Sequence, residues 1–132
     1  MNFSCHATSL TPSVLLDARE RKLRIEGECY PENPAAFFEP LVAALQAAHV
    51  EAAPAFEVRC RLTYVNSASL AWLRRILTWL DRGSGGGGER GELRVVWEYD
   101  EEDDGAAELA QDLTSGLHHV ELVEEHFSAP DR

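Results

Sequence analysis

Polar and apolar positions alternate over Lys22–Glu26, and Ser13–Asp17 just before it is a short β candidate. A period of two puts one face of a strand in a core and the other in water. The connection Ala18-Arg19-Glu20-Arg21 is short and polar, which predicts a hairpin. Residues 1–11 carry no sustained period and are expected to form a flexible N-terminal arm. Gly27 to Pro34 reads as a loop, because Pro31 and Pro34 exclude regular structure.

From Pro34 the period becomes helical. Asn33 suits the N-cap and Pro34 the first helical position, where a missing N–H costs nothing. Phe37, Phe38, Leu41, Leu45 and Ala48 then make one apolar stripe reaching about His49, with Pro40 expected to kink it or break its first turn. After Pro54, the run Phe56-Glu57-Val58-Arg59-Cys60-Arg61-Leu62 alternates as a strand. The clearest helix follows over Asn66–Arg82, where Leu70, Leu73, Ile76, Leu77 and Leu80 share a face. A third strand, Leu93–Tyr99, puts Leu93, Val95, Trp97 and Tyr99 on one side. Gly105–Ser115 is a short helix with Leu109 and Leu113 inward and Gly116 as its stop, and Val120–Val123 is a last strand.

The order ββαβαβαβ predicts an α/β fold with a mixed β-sheet packed with helices: parallel pairs from the alternating part and a hairpin at one end. One domain covers residues 12–127, with a glycine-rich loop at 83–91 inside it and a C-terminal tail at 128–132. A chain of 132 residues buries enough surface to fold without disulfides or a structural metal.

Charge narrows the function classes. Twelve Lys and Arg against 23 Asp and Glu give a net charge of -11, which repels phosphate backbones and anionic lipid. Nucleic acid and membrane insertion are therefore not expected as partners, and no apolar run approaches a membrane span. The first twelve residues lack a basic stretch followed by an apolar one, so a cytoplasmic location is expected. Cys5, Cys29 and Cys60 fit neither a disulfide framework nor a CxxC knuckle and read as small core residues.

Catalytic chemistry finds little support. Gly83–Gly91 lacks the GxxxxGK[ST] pattern and follows a helix, so it is no phosphate cradle. His118, His119 and His126 with Glu121, Glu124 and Glu125 match no established ligand spacing. The acidic run Asp100–Asp104 lacks the EF-hand alternation, and the helix after it favours acids through its macrodipole. No Ser/His/Asp set stands out, so no catalytic residue, cofactor or metal site is assigned and the chain is not expected to be an enzyme.

The informative segment is Tyr64-Val65-Asn66-Ser67-Ala68-Ser69, where a strand ends, an Asn caps and small hydroxyl residues open a helix. One reading is capping alone, worth ~1 kcal/mol. The other is a phosphoacceptor, since a phosphate there faces unpaired N–H groups and the positive end of the helix dipole. Tyr30-Pro31-Glu32-Asn33 likewise has two readings. Pro31 and Asn33 shape the chain, while Tyr30 and Glu32 present a surface to a partner.

Three blocks together resemble the SiaC family of bacterial regulatory phosphoproteins: Gly27–Pro34 with its YPEN sequence, the Tyr64–Ser69 turn, and Val96–Asp100. The resemblance runs from about Thr11 to Phe127 with the blocks in family order. It implies a non-enzymatic switch, phosphorylated by a Ser/Thr kinase and dephosphorylated by a PP2C-type phosphatase. In its best-known branch the unphosphorylated form binds a diguanylate cyclase and promotes cyclic-di-GMP synthesis, favouring aggregation or biofilm growth. It also implies a likeness to STAS anti-sigma-factor antagonists in fold and function. The implied phosphoacceptor follows the Asn of the turn and is Ser67, with Ser69 as the alternative and Tyr64 and Asn66 framing it. Family members often carry Thr at that position. Ala68 stands where a small hydroxyl is usual, and Gly85–Gly88 lengthens a tighter family turn. Two other functions stay open: an anti-sigma-factor antagonist on the same fold, and a small metal-dependent enzyme built on the acidic run and the C-terminal His residues.

Overall fold

The computed structural model describes residues 2–48, 55–85, 93–103, 105–117 and 120–127. Its elements are β1 (Asn2–Cys5), β2 (Ser13–Asp17), β3 (Lys22–Cys29), α1 (Pro34–Ala47), β4 (Phe56–Val65), α2 (Ser67–Gly85), β5 (Leu93–Asp100), α3 (Ala106–Thr114) and β6 (Val120–Phe127). They form one six-stranded sheet with the strands in chain order from β1 to β6. β1, β2 and β3 pair antiparallel, and β3 to β6 pair parallel. The mixed α/β fold expected from the alternating periods is therefore present, with one strand more.

That strand is β1. The segment expected to be a flexible arm pairs with β2, with Phe3 opposite Leu16 and Cys5 opposite Val14. Phe3 and Cys5 pack against the core. Pairing also satisfies the N–H and C=O groups that β2 would otherwise expose along its edge. β3 continues to Cys29 rather than stopping at Glu26, by way of an irregularity between Gly27 and Glu28. Gly27 has φ +126, and a Cβ there would lie 3.4 Å from Pro12 Cα, so glycine suits both the backbone and the close approach.

Each parallel strand follows its neighbour in space as in sequence, so right-handed crossovers put α1, α2 and α3 on the same face of the sheet. That face holds the core. Leu23 and Ile25 of β3, Val58, Cys60 and Leu62 of β4, and Leu93, Val95 and Trp97 of β5 are buried with Phe38, Leu41 and Leu45 of α1, Leu73, Ile76, Leu77 and Leu80 of α2, and Ala110 and Leu113 of α3. α1 runs through Pro40 without interruption. Pro40 and Ala36 are exposed, so water can solvate the carbonyl that loses its N–H partner. Phe38 stacks on Trp72 with ring centroids 5.8 Å apart, joining α1 to α2. Arg74 of α2 donates to the carbonyls of Asp112 and Ser115 at the end of α3, where a cation also meets the negative end of the dipole. Gly116, at φ +82, then turns the chain away as expected.

The helix expected to stop at Arg82 extends to Gly85, and the last strand runs to Phe127 rather than Val123. His49, Pro54, most of the glycine-rich stretch (86–91), Asp104, His118, His119 and residues 128–132 lie outside the described residues.

Candidate functional site

β3, β4 and β5 run parallel, so their C-terminal ends share one edge of the sheet. In open α/β sheets this edge carries the functional loops. Here it gathers the Tyr30–Asn33 loop after β3, Asn66 after β4, and the acidic turn after β5.

Asn66 links the first two. Its Oδ1 accepts from Ser69 N–H at 2.9 Å, which makes it the cap of α2, as its place before the helix predicted. Its backbone N–H donates to Cys29 O at 3.1 Å, and its Nδ2 donates to Pro31 O at 3.4 Å. Tyr30 and Tyr64 meet edge to face with ring centroids 4.9 Å apart, and Tyr30 N–H donates to Leu10 O at 2.9 Å. Two segments more than thirty residues apart thus form one surface. Pro31 is buried, whereas Glu32 and Asn33 are exposed, and Asn33 Oδ1 caps α1 by accepting from Ala36 N–H at 3.2 Å. Tyr64 is 55% exposed and, with Leu15, is one of two exposed large hydrophobic side chains among the described residues.

The two candidate hydroxyls have opposite environments. Ser67 opens α2 and is exposed. Ser69, two residues on, is 0% exposed, and its Oγ has no well-aligned hydrogen-bond partner. Its polar neighbour is the Cys29 thiol, which burial pushes up to about 11 while the Ser69 hydroxyl pulls it slightly back. Cys60 is likewise buried and pushed up to about 12 by desolvation, so both are protonated packing residues at neutral pH.

The acids after β5 serve the turn itself. Asp100 Oδ1 accepts from Glu102 N–H at 2.9 Å, and Asp103 Oδ1 from Gly105 N–H at 3.2 Å. A cavity of about 500 Å³ opens beside this turn, lined by Glu26, Arg61, Thr63, Glu98, Asp100 and Asp103 among others. Near the C-terminus, His126 Nε2 lies 3.0 Å from Tyr99 Oη, Glu121 pairs with Arg94 at 3.7 Å, and Glu125 pairs with Arg59 at 2.9 Å. Among the described residues, no group of three or more His, Cys, Asp or Glu side chains is placed to hold a metal. No described helix is long and apolar enough to cross a membrane.

One cluster went unread in the sequence. On the sheet face away from the helices, Glu98 accepts from Arg24 at 3.2 Å, Arg61 at 3.1 Å and Arg59 at 2.5 Å. Burial alone would raise the Glu98 carboxyl, but hydrogen bonds from Arg59 and Arg61 and the charge of Arg24 hold it below the usual carboxylate range. Two directly opposite pairs here are like-charged, Arg24 with Arg59 and Glu98 with Glu125, whereas Glu26 faces Arg61. Like-charged pairs repel, and the diagonal Arg–Glu contacts offset that. The signal was the charge at alternate positions of β3 (Lys22, Arg24, Glu26, Glu28) and β4 (Glu57, Arg59, Arg61), with Arg94 and Glu98 on β5, legible only once strand order and register are known.

Residues 5–125 match the profile of the SiaC family regulatory phosphoproteins. The chain belongs to the SiaC family. This family fold is shared with SiaC of Pseudomonas aeruginosa, at TM-score 0.83 and 23% identity, covering 96% of this chain and 99% of that one. The crystal structure of the diguanylate cyclase SiaD in complex with its activator SiaC, from the same organism, matches at TM-score 0.84 and 23% identity, covering 95% of this chain and 99% of the matched chain. An uncharacterized protein of Pseudomonas aeruginosa strain UCBPP-PA14 is 27% identical over 106 residues, 80% of this chain and 82% of its own length. Within the SiaC family the chain is thus a regulatory phosphoprotein whose YPEN block and Asn-Ser turn, separate in sequence, are hydrogen-bonded neighbours in space.

Proposed function

We propose that this protein is a non-enzymatic, phosphorylation-controlled binding switch of the cytoplasm, with Ser67 as the phosphoacceptor. The unphosphorylated form binds and activates a diguanylate cyclase, a Ser/Thr kinase modifies Ser67 to release it, and a PP2C-type phosphatase restores it. The observation that carries this reading is the contrast at the start of α2: Ser67 is exposed beside the Tyr30–Asn33 surface, while Ser69 is fully buried. A kinase needs a reachable hydroxyl, and reaching Ser69 requires the first turn of α2 to open. The cyclase partner is supported by the solved SiaC of the same fold, an activator of SiaD.

Phosphorylation adds roughly -1.5 to -2 charges at neutral pH. It adds them to an end of the sheet where Glu32, Asp100, Glu101, Glu102 and Asp103 already stand. A dianion desolvated in a partner interface, at a penalty of about 4 kcal/mol, weakens binding roughly a thousandfold. Tyr30, Glu32 and Tyr64 supply the adjoining contact surface, with Pro31, Asn33 and Asn66 holding its shape.

Phosphopeptide mapping of the protein from its host, with and without a PP2C-type phosphatase, tests the site. The expected result is phosphate on Ser67 that the phosphatase removes. Ser67→Ala should then hold the cyclase constitutively and raise cyclic-di-GMP synthesis, while Ser67→Asp weakens both. An unmodified turn in every growth condition with kinase present would overturn the switch. Co-purification of an anti-sigma factor in place of a cyclase would keep the switch and replace its effector.

A further inference from the structure

Phosphate on Ser67 enters a crowded set of donors. The N–H groups of Ser67 and Ala68 open α2 without an intrahelical acceptor. The next amide, Ser69 N–H, is already held by Asn66 Oδ1 at 2.9 Å, and Leu70 N–H is the first to bond within the helix, to Asn66 O at 2.9 Å. A phosphoryl group attached to Ser67 Oγ sits at the helix end where the amides of Ser67, Ala68 and Ser69 open, and the last of these already donates to Asn66 Oδ1. An anionic phosphate oxygen makes a hydrogen bond roughly twice as strong as the neutral carboxamide oxygen it competes with. The other end of the same carboxamide is weakly held, since Nδ2 reaches Pro31 O only at 3.4 Å.

We propose that phosphorylation is relayed through Asn66. The phosphoryl group takes Ser69 N–H from Asn66 Oδ1, the freed carboxamide turns away and releases Pro31 O, and the Tyr30–Asn33 loop changes with it. Tyr30 itself stays anchored by Leu10 O and the Tyr64 ring. The change is thus concentrated at Pro31, Glu32 and Asn33. Because Asn33 also caps α1 through Ala36 N–H, the start of α1 feels it too. The switch then alters two parts of one surface, the charge at Ser67 and the shape of the loop beside it. This inference rests on Ser67 being the modified residue.

The test uses the full chain with phosphoserine encoded at position 67 during synthesis, compared with the unmodified chain by 1H–15N NMR. The Asn66 side-chain amide should exchange with water about tenfold faster when Ser67 is phosphorylated, as expected of a donor that loses its acceptor. The backbone signals of Glu32 and Asn33 should shift at the same time. Asn66→Asp supplies the control, since Asp caps as well as Asn but has no donor for Pro31 O. Without phosphate, it should already move Glu32 and Asn33 in the same direction. Shifts confined to residues 67–69, with the Asn66 side-chain signals unchanged, would overturn the relay. So would an Asn66→Asp variant whose loop signals match those of the wild type. Since the phosphate is encoded, the loop response is read whether or not a cellular kinase modifies Ser67. Absence of that phosphate in the host would remove the switch and leave the relay to be judged on the spectra.

Discussion

Replacing Glu98 by Gln should separate the ion cluster on the open sheet face from ordinary surface charge. The Glu98 side chain is 7% exposed, and its two oxygens accept from three guanidinium groups. Gln keeps one acceptor oxygen and turns the other into an NH2 donor. Whichever way the amide faces, a donor then meets a guanidinium, Arg59 on one side or Arg24 and Arg61 on the other. Breaking a buried pair costs about 3–5 kcal/mol. The side chains of Arg24, Arg59 and Arg61 are 38%, 27% and 41% exposed, so water recovers part of that. The expected loss is about 2 kcal/mol at pH 7, or roughly 6–8 °C in Tm for a domain of this size. The pH dependence gives the sharper test. The carboxyl is held below its unfolded value of about 4.3, so its contribution is complete above that pH and lost as pH falls through the folded value. Urea titrations at pH 7 and pH 3 should show the gap between wild type and Glu98→Gln narrowing in acid, as the wild-type carboxyl takes up its proton. A gap of the same size at both pH values would mean that Gln loses packing rather than charge. No gap at pH 7 would mean that the cluster contributes nothing.

Three further outcomes are expected. Phe38→Ala, which empties a 0% exposed position and removes the stack on Trp72, should cost about 3–5 kcal/mol in denaturant unfolding. Ser69→Ala removes a buried hydroxyl without a well-aligned partner, so stability should change by less than about 1 kcal/mol, and phosphate incorporation on Ser67 should persist in mass spectra. In native protein at pH 8, a thiol reagent should label Cys5 quickly and Cys29 and Cys60 only on unfolding, because the two buried thiols are pushed up to about 11 and about 12. Rapid native labelling of all three would refute the burial assigned to β3 and β4.

The local pattern of the chain determined most of its elements. Periods of two and 3.6 depend only on which neighbours share a face, so Lys22–Glu26, the Leu93–Tyr99 face and the Leu70–Leu80 stripe were legible from residue order. Caps are equally local: Asn33 and Asn66 each act within three residues, and Gly116 bends the chain where a side chain resists bending. Element ends were less legible. β1 forms because β2 offers it a partner, and α1 passes Pro40 because tertiary packing of Phe38, Leu41 and Leu45 outweighs one lost hydrogen bond.

Tertiary structure decided what two hydroxyls at positions 67 and 69 could not show by themselves. They differ because α2 turns one outward and presses the other towards Cys29, and burial on a helix depends on what lies beneath it. The YPEN block and the Asn-Ser turn meet for a similar reason: parallel pairing of β3 with β4 brings their C-terminal ends to one edge of the sheet. Glu98 gathers arginines from two neighbouring strands, β3 and β4, a convergence set by register rather than by spacing. Local sequence fixes which faces are apolar, and long-range pairing fixes which polar groups face one another.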